Sequence, residues 1–200
     1  MTKFKHIEGF ILAGGESSRM GRDKALLEIG GQTLLARAVA LLEPLVAPIR
    51  LVGDAQRNAA GGVASVPDRW PGAGPLGGIA SGLAAADKKW CVVLACDMPF
   101  VTSNWIEWLL DCAGGSRADA IIPNTVQGLE PLCAVYRAGC AARLAAALDR
   151  GLRKVTDGLA GLNLDLASED IWRRFSPNGF LFRNLNTWED YVSAKKQLES

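Results

Sequence analysis

Trp90-Cys91-Val92-Val93-Leu94-Ala95-Cys96-Asp97-Met98-Pro99 is the stretch that decides the fold. Seven residues without a charge run straight into an aspartate. A strand wetted on one face alternates apolar and polar residues. One that is apolar throughout is covered on both faces, as in a parallel sheet between two layers of helices. The run is far short of the about 20 apolar residues needed to cross a bilayer.

Working outward, strand-length apolar runs alternate with helical patterns. The spacing predicts a first strand at Phe10–Ala13, a helix from about Thr33 to Leu42, and strands at Ile49–Val52 and Val63–Val66. A helix beginning near Pro75 precedes the decisive strand, and a helix over Trp105–Cys112 and a strand at Ala118–Ile122 follow it. Later come a strand at Leu132–Tyr136, a helix over Cys140–Leu148, a strand at Phe180–Arg183, and a helix Thr187–Leu198 with Thr187 as N-cap and Asp190 at its third position. This order predicts an α/β fold: a single-domain, three-layer, Rossmann-like, mostly parallel sheet with helices on both faces. No repeat or linker divides residues 1–200, so one domain is expected.

The balance of 22 Lys+Arg against 21 Asp+Glu gives a net charge of +1, which excludes a nucleic-acid surface working by bulk charge. His6 is the single histidine, so a His pair or triad is excluded. The five cysteines include no C-x-x-C pair; with no signal or membrane segment, a reduced cytoplasmic protein without zinc is expected.

In open α/β sheets ligands gather beyond the carboxyl ends of the strands. Three segments stand there. Gly14-Gly15-Glu16-Ser17-Ser18-Arg19-Met20-Gly21-Arg22-Asp23-Lys24 follows the first strand, and its glycines let backbone N–H groups approach an anion. Arg19 and Lys24 would clamp a polyphosphate; the spacing is not that of a Walker A loop. Asp68-Arg69-Trp70-Pro71-Gly72-Ala73-Gly74-Pro75-Leu76-Gly77-Gly78 contains a G-x-G-x-x-G. It does not open directly from the first strand, so a dinucleotide oxidoreductase is disfavoured in favour of a second close approach of backbone to ligand. Asp97, after the buried strand, is placed to hold Mg²⁺ against phosphate oxygens; the alternative is an Asx turn before Pro99. Together these groups suit nucleotidyl transfer, in which an acceptor phosphate attacks the α-phosphorus of a nucleoside triphosphate and no enzyme nucleophile is needed.

Leu12-Ala13-Gly14-Gly15-x-Ser17-x-Arg19-Met20-Gly21-x-Asp23-Lys24 closely resembles the signature of molybdenum cofactor guanylyltransferases, which share the nucleotide-diphospho-sugar transferase-like fold. Asp68 with Pro71-Gly72-x-Gly74-Pro75-Leu76-Gly77-Gly78, Asp97-Met98-Pro99, Glu130-Pro131-Leu132, Arg153 and Asn184-Leu185-Asn186-Thr187 resemble its further motifs. The resemblance implies Mg²⁺-dependent transfer of GMP from GTP to molybdopterin cofactor. Leu12, Ala13, Gly14, Gly15, Lys24, Gly53, Asp68 and Asp97 would serve the nucleotide, with Asp97 holding the metal. Arg19, Gly21, Gly78, Arg153, Asn184 and Asn186 would serve the acceptor, and Arg19, Lys24 and Asp97 catalysis. From Arg150 to Arg183 six basic residues face four acidic ones, compatible with an anionic acceptor. The family commonly has proline where this chain has Trp188. A cytidylyl relative typically reads Ala-Ala-Gly in place of Ala13-Gly14-Gly15, which favours GTP over CTP. A non-catalytic cofactor-delivery module is the alternative from another class. A monomer, in transient contact with cofactor-synthesis enzymes or receiving molybdoenzymes, is expected.

Overall fold

The computed structural model describes residues 2–13, 23–53 and 62–199. Ten strands are described: β1 (Ile7–Leu12), β2 (Glu28–Ile29), β3 (Gln32–Thr33), β4 (Ile49–Val52), β5 (Ala64–Val66), β6 (Trp90–Ala95), β7 (Ala120–Thr125), β8 (Gly128–Leu129), β9 (Cys133–Arg137) and β10 (Leu164–Ala167). The helices are α1 (Leu34–Leu42), α2 (Gly74–Ala84), α3 (Ser103–Gly115), α4 (Ala141–Asp149), α5 (Val155–Gly158), α6 (Glu169–Trp172) and α7 (Trp188–Leu198). The main sheet runs β10-β7-β9-β6-β1-β4-β5, with β8 paired to the end of β7. Only β9 on that path runs against its neighbours, so the sheet is mostly parallel.

The two fully buried strands, β1 and β6, lie side by side at its centre, in register from Ile7 opposite Trp90 to Leu12 opposite Ala95. Successive side chains of a strand point to opposite faces. Ile7 and Ile11 of β1 join Val92 and Leu94 of β6 under α1 and α3. Phe10 and Leu12 join Cys91 and Val93 under α2 and α4. Three layers follow from that alternation. Helix α2 sits very close to β1 because position 82 is glycine: a Cβ there would stand 3.0 Å from the Phe10 ring and 3.2 Å from Val52.

A hairpin of β2 and β3 was not legible in the periodicity, since each strand is two residues long. Its turn, Gly30-Gly31, has φ of +61° and +73°, the backbone that a two-residue hairpin demands. Ile29 of the hairpin packs with Leu185, Tyr191 and Ala194 in a third cluster, and the Tyr191 hydroxyl donates to Glu28 O at 2.7 Å. The closing helix is thereby fastened beside the segment that carries Lys24.

The expected strand at Phe180–Arg183 is a turn, with Arg183 N donating to Phe180 O at 2.9 Å. Phe182 is held edge-on against Trp105 and Trp172, so side-chain packing rather than a backbone ladder fixes this segment. The last strand of the sheet is instead β10, parallel to β7. Its central residues Asp165 and Leu166 are exposed, which erased the apolar signal.

At the amino-terminal edge of the sheet Glu8 is fully buried. Arg50 Nε stands 2.8 Å from Glu8 Oε1, and Arg50 Nη1 donates to O of Ala85, the C-cap of α2, at 2.8 Å. Asp87 N–H donates to Glu8 Oε2 at 2.9 Å, and the Asp87 carboxylate also pairs with Arg50. Removing one member of a buried pair costs about 3–5 kcal/mol because the other charge is stranded. Arg50→Leu is expected near the low end of that range, since Arg50 keeps 20% of its side chain exposed. Asp87→Ala, whose side chain is 71% exposed, should cost less than about 1 kcal/mol. Denaturant titration of the two variants checks the ordering; equal losses would contradict it.

Candidate active site

The centre of the sheet is also its topological switch point. From β1 the chain moves outward to β4 and β5, then returns to β6 on the other side of β1. In open α/β sheets the ligand crevice lies at such a point, outside the carboxyl ends of the two strands. Cys96 N–H donates to Leu12 O at 3.1 Å, holding the two strand ends level. Asp97 emerges at this point.

Lys24 opens a 3₁₀ turn, Lys24–Leu26, whose N-cap Asp23 accepts from Ala25 N–H at 3.1 Å. That turn aims the lysine at the crevice: Lys24 Nζ lies 3.7 Å from Asp97 Oδ2 and donates to Asn186 Oδ1 at 3.3 Å. Asn186 arrives from the far end of the chain because Leu185 N–H donates to Asp97 O at 3.0 Å. The Asp97 carboxyl is pushed above the usual carboxylate range by burial, while the Lys24 ammonium opposes that rise. An ammonium, a carboxylate and an amide thus meet with about a fifth of each charged side chain still open to solvent.

The Asn184–Thr187 segment is rigidly set. Asp190 Oδ2 accepts from Asn186 N–H at 3.1 Å and Thr187 N–H at 2.9 Å, and Asp190 N–H returns a bond to Thr187 Oγ1. This capping box starts α7 with Trp188 at its first position, the Trp188 ring lying 4.9 Å from that of Tyr191. Asn184 Oδ1 is buried and has no hydrogen-bond partner among the described residues. A buried acceptor left without a donor costs about 1–3 kcal/mol, a price recovered when a ligand supplies one.

On the other side of β1, Gly53 follows β4 at φ +129° and donates to Val66 O at 3.0 Å. Asp68 follows β5; its Oδ1 accepts from Trp70 N–H and from the buried Ser81 hydroxyl, each at 3.0 Å. Ser81, unmarked in the sequence reading, is therefore the residue that fixes Asp68 against α2. Gly78 lies one turn earlier on α2, where a Cβ would stand 3.4 Å from Leu12. Arg153 caps α4, its Nη1 donating to Leu148 O at 3.0 Å and Leu152 O at 2.9 Å. Leu12 and Ala13 are buried at the strand end. Gly14, Gly15, Arg19 and Gly21 lie outside the described residues.

Glu130 begins the Glu130-Pro131-Leu132 motif. It is half-buried beside Pro123 of β7, where burial pushes its carboxyl up to about 7 against the pull of the Thr125 hydroxyl. Among the described residues no group of three or more His, Cys, Asp or Glu side chains could hold a metal. The donor set fits an ion such as Mg²⁺, which takes one or two carboxylates and fills its remaining positions with phosphate oxygens and water.

Residues 9–164 match the family model of the MobA-like NTP transferase domain. The chain is 35% identical over 193 residues to the probable molybdenum cofactor guanylyltransferase of Pelotomaculum thermopropionicum, covering 96% of this chain and 93% of that protein. It is 34% identical over 188 residues to the molybdenum cofactor guanylyltransferase of Syntrophotalea carbinolica, covering 94% and 90%. The crystal structure of molybdopterin-guanine dinucleotide biosynthesis protein A from Archaeoglobus fulgidus is similar with a TM-score of 0.83 and 27% identity, over 96% of this chain and 98% of that one. With its crevice between β1 and β6 and these relatives along nearly its whole length, the chain belongs to the MobA-like family of molybdenum cofactor guanylyltransferases and is a nucleotidyltransferase.

Proposed function

We propose that the enzyme transfers GMP from GTP to the phosphate of molybdopterin cofactor, releasing pyrophosphate, with Mg²⁺ held by Asp97. The observation that carries this reading is the meeting of Lys24, Asp97 and Asn186 at the switch point. The nucleotide would lie over β1, β4 and β5, served by Leu12, Ala13, Gly14, Gly15, Lys24, Gly53 and Asp68. The acceptor would lie toward Asn184 and Asn186, with Arg19, Gly21, Gly78 and Arg153. The whole of residues 1–200 works as one domain in this scheme.

In the reaction a phosphate oxygen of the acceptor forms a bond to the α-phosphorus of GTP. The bond from that phosphorus to the bridging oxygen breaks, and the electron pair leaves with pyrophosphate. Bound Mg²⁺ would neutralise charge on the transferred and leaving phosphates. Lys24 adds a positive charge beside Asp97, where negative charge accumulates in the transition state, in a site that excludes much of the solvent. Asn186 holds that ammonium in place from the acceptor side, and Asn184 offers its unpaired acceptor to the incoming ligand. No histidine takes part: His6 precedes β1 at the opposite edge of the sheet. Direct attack by the substrate phosphate needs none.

Pyrophosphate release with loaded cofactor and either GTP or CTP tests the assignment; faster turnover with CTP would overturn the guanine reading. Asp97→Ala and Lys24→Ala should each lower turnover at least about 100-fold, the scale on which a preorganised charge stabiliser acts. Because both side chains lie in the crevice, their thermal unfolding midpoints should stay close to wild type. If cofactor binds tightly but no pyrophosphate appears in the wild type, the chain is a delivery module.

A further inference from the structure

One half-buried carboxylate at the carboxyl edge of the sheet, that of Glu130, has no part in the reaction above. Glu130 stands where β8 ends, with its N–H donating to Pro123 O at 2.9 Å and its carbonyl accepting from Cys133 N–H at 3.3 Å. Two residues on, Leu132 O accepts from Ala95 N–H, the last residue of β6, at 2.8 Å. Tyr136 OH donates to Pro131 O at 2.7 Å. Glu130-Pro131-Leu132 is therefore laced across the carboxyl edge from β7 to β6, the edge at which Asp97 emerges. Strand β9 alone separates β7 from β6, so this crossing spans about 10 Å at ordinary strand spacing. It starts on the side away from Gly53 and Asp68, in the acceptor half. Among the described residues no lysine or arginine forms an ion pair with Glu130; its one hydrogen-bonding side-chain neighbour is Thr125. A carboxylate desolvated without a cation is incompletely satisfied, and N–H donors from a ligand would complete it.

The acceptor's ring carries such donors. The pyrimidine edge of a pterin presents a ring N–H and an amino group side by side, a pair that one carboxylate can accept with its two oxygens. We infer that Glu130 is the specificity residue for the acceptor, its carboxylate receiving this pair while Asp97 and Lys24 hold the phosphate end. The inference rests on the transfer reading for the direction in which the acceptor lies. Only the ionised carboxylate accepts both donors, so acceptor affinity should fall as the pH drops through the range near 7 where Glu130 takes up a proton. Cys133 on β9 couples to Glu130 but stays neutral, its thiol pushed up to about 12 by burial. The charged groups of α6 and the turn after it, packed beside β7, pair among themselves, Glu169 with Arg173 and Asp170 with Arg174.

Steady-state kinetics of Glu130→Gln against wild type test this. The KM for loaded cofactor should rise about 10- to 100-fold, the scale of losing a hydrogen-bonded charge at a binding site, while GTP affinity measured by calorimetry changes less than about twofold. Between pH 6 and 8 the wild-type KM should rise on acidification more than that of the variant; both share the titration of the acceptor phosphate, so their difference is the readout. Equal acceptor KM values, or an equal loss of GTP affinity, would overturn the inference. Binding of free pterin, followed by quenching of its fluorescence with no nucleotide present, separates the two readings. A wild type that binds pterin and loses it on Glu130→Gln, yet releases no pyrophosphate, sinks the transfer reading and keeps this one. Pterin binding unchanged by Glu130→Gln sinks this one alone. Thermal melts of both proteins confirm that the variant folds.

Discussion

Everything in the site depends on the parallel register of β1 and β6. Because Leu12 stands opposite Ala95, two strands that begin level also end level, and Asp97 emerges beside the end of β1. A slip of one residue would turn Asp97 toward the opposite face of the sheet, since side chains alternate. The register is held by burial on both faces, with Ile7 and Ile11 under one helical layer and Phe10 and Leu12 under the other. Stability and site geometry have the same origin here.

The C-terminal region completes what the central strands begin. Helix α7 reaches the hairpin through Tyr191, and the segment just before it reaches Asp97 and Lys24 through Leu185 and Asn186. Lys24, on the segment leading into the hairpin, is thus steadied by residues from the last tenth of the chain. An active site at the edge of a parallel sheet needs such a flank, because strand ends alone leave their ligands open on the sides. Glu130 and its hairpin supply the corresponding flank on the far side of β6.

What could be read from the sequence was local. The buried strand β6 and the last three residues of β1 announced themselves by composition, while β1 begins at Ile7, three residues before the expected start; the capping box at Thr187 showed in residue spacing. The Asp97 position followed from a polar residue ending an apolar run. The contact of Lys24 with Asn186 had no local signature, since the two lie 162 positions apart. The β2–β3 hairpin hid in two-residue strands, β10 hid behind exposed residues, and Phe180–Arg183 imitated a strand while its aromatics served the core. The perturbed state of Glu130 depends on desolvation by a fold-back of β8 onto β7, which periodicity does not encode.

The buried carboxylate of Glu8 has a wider meaning once the direction of the strands is considered. It lies four residues before Leu12 on one strand, about 13 Å away at the usual rise per residue. Its partners Arg50 and Asp87 fasten the edge opposite the crevice. The central strands therefore enter among anchoring charges, at the end opposite the one where Asp97 emerges. Drift in substrate preference can accumulate at one end without loosening the other, and the two ends can be re-engineered as separate problems.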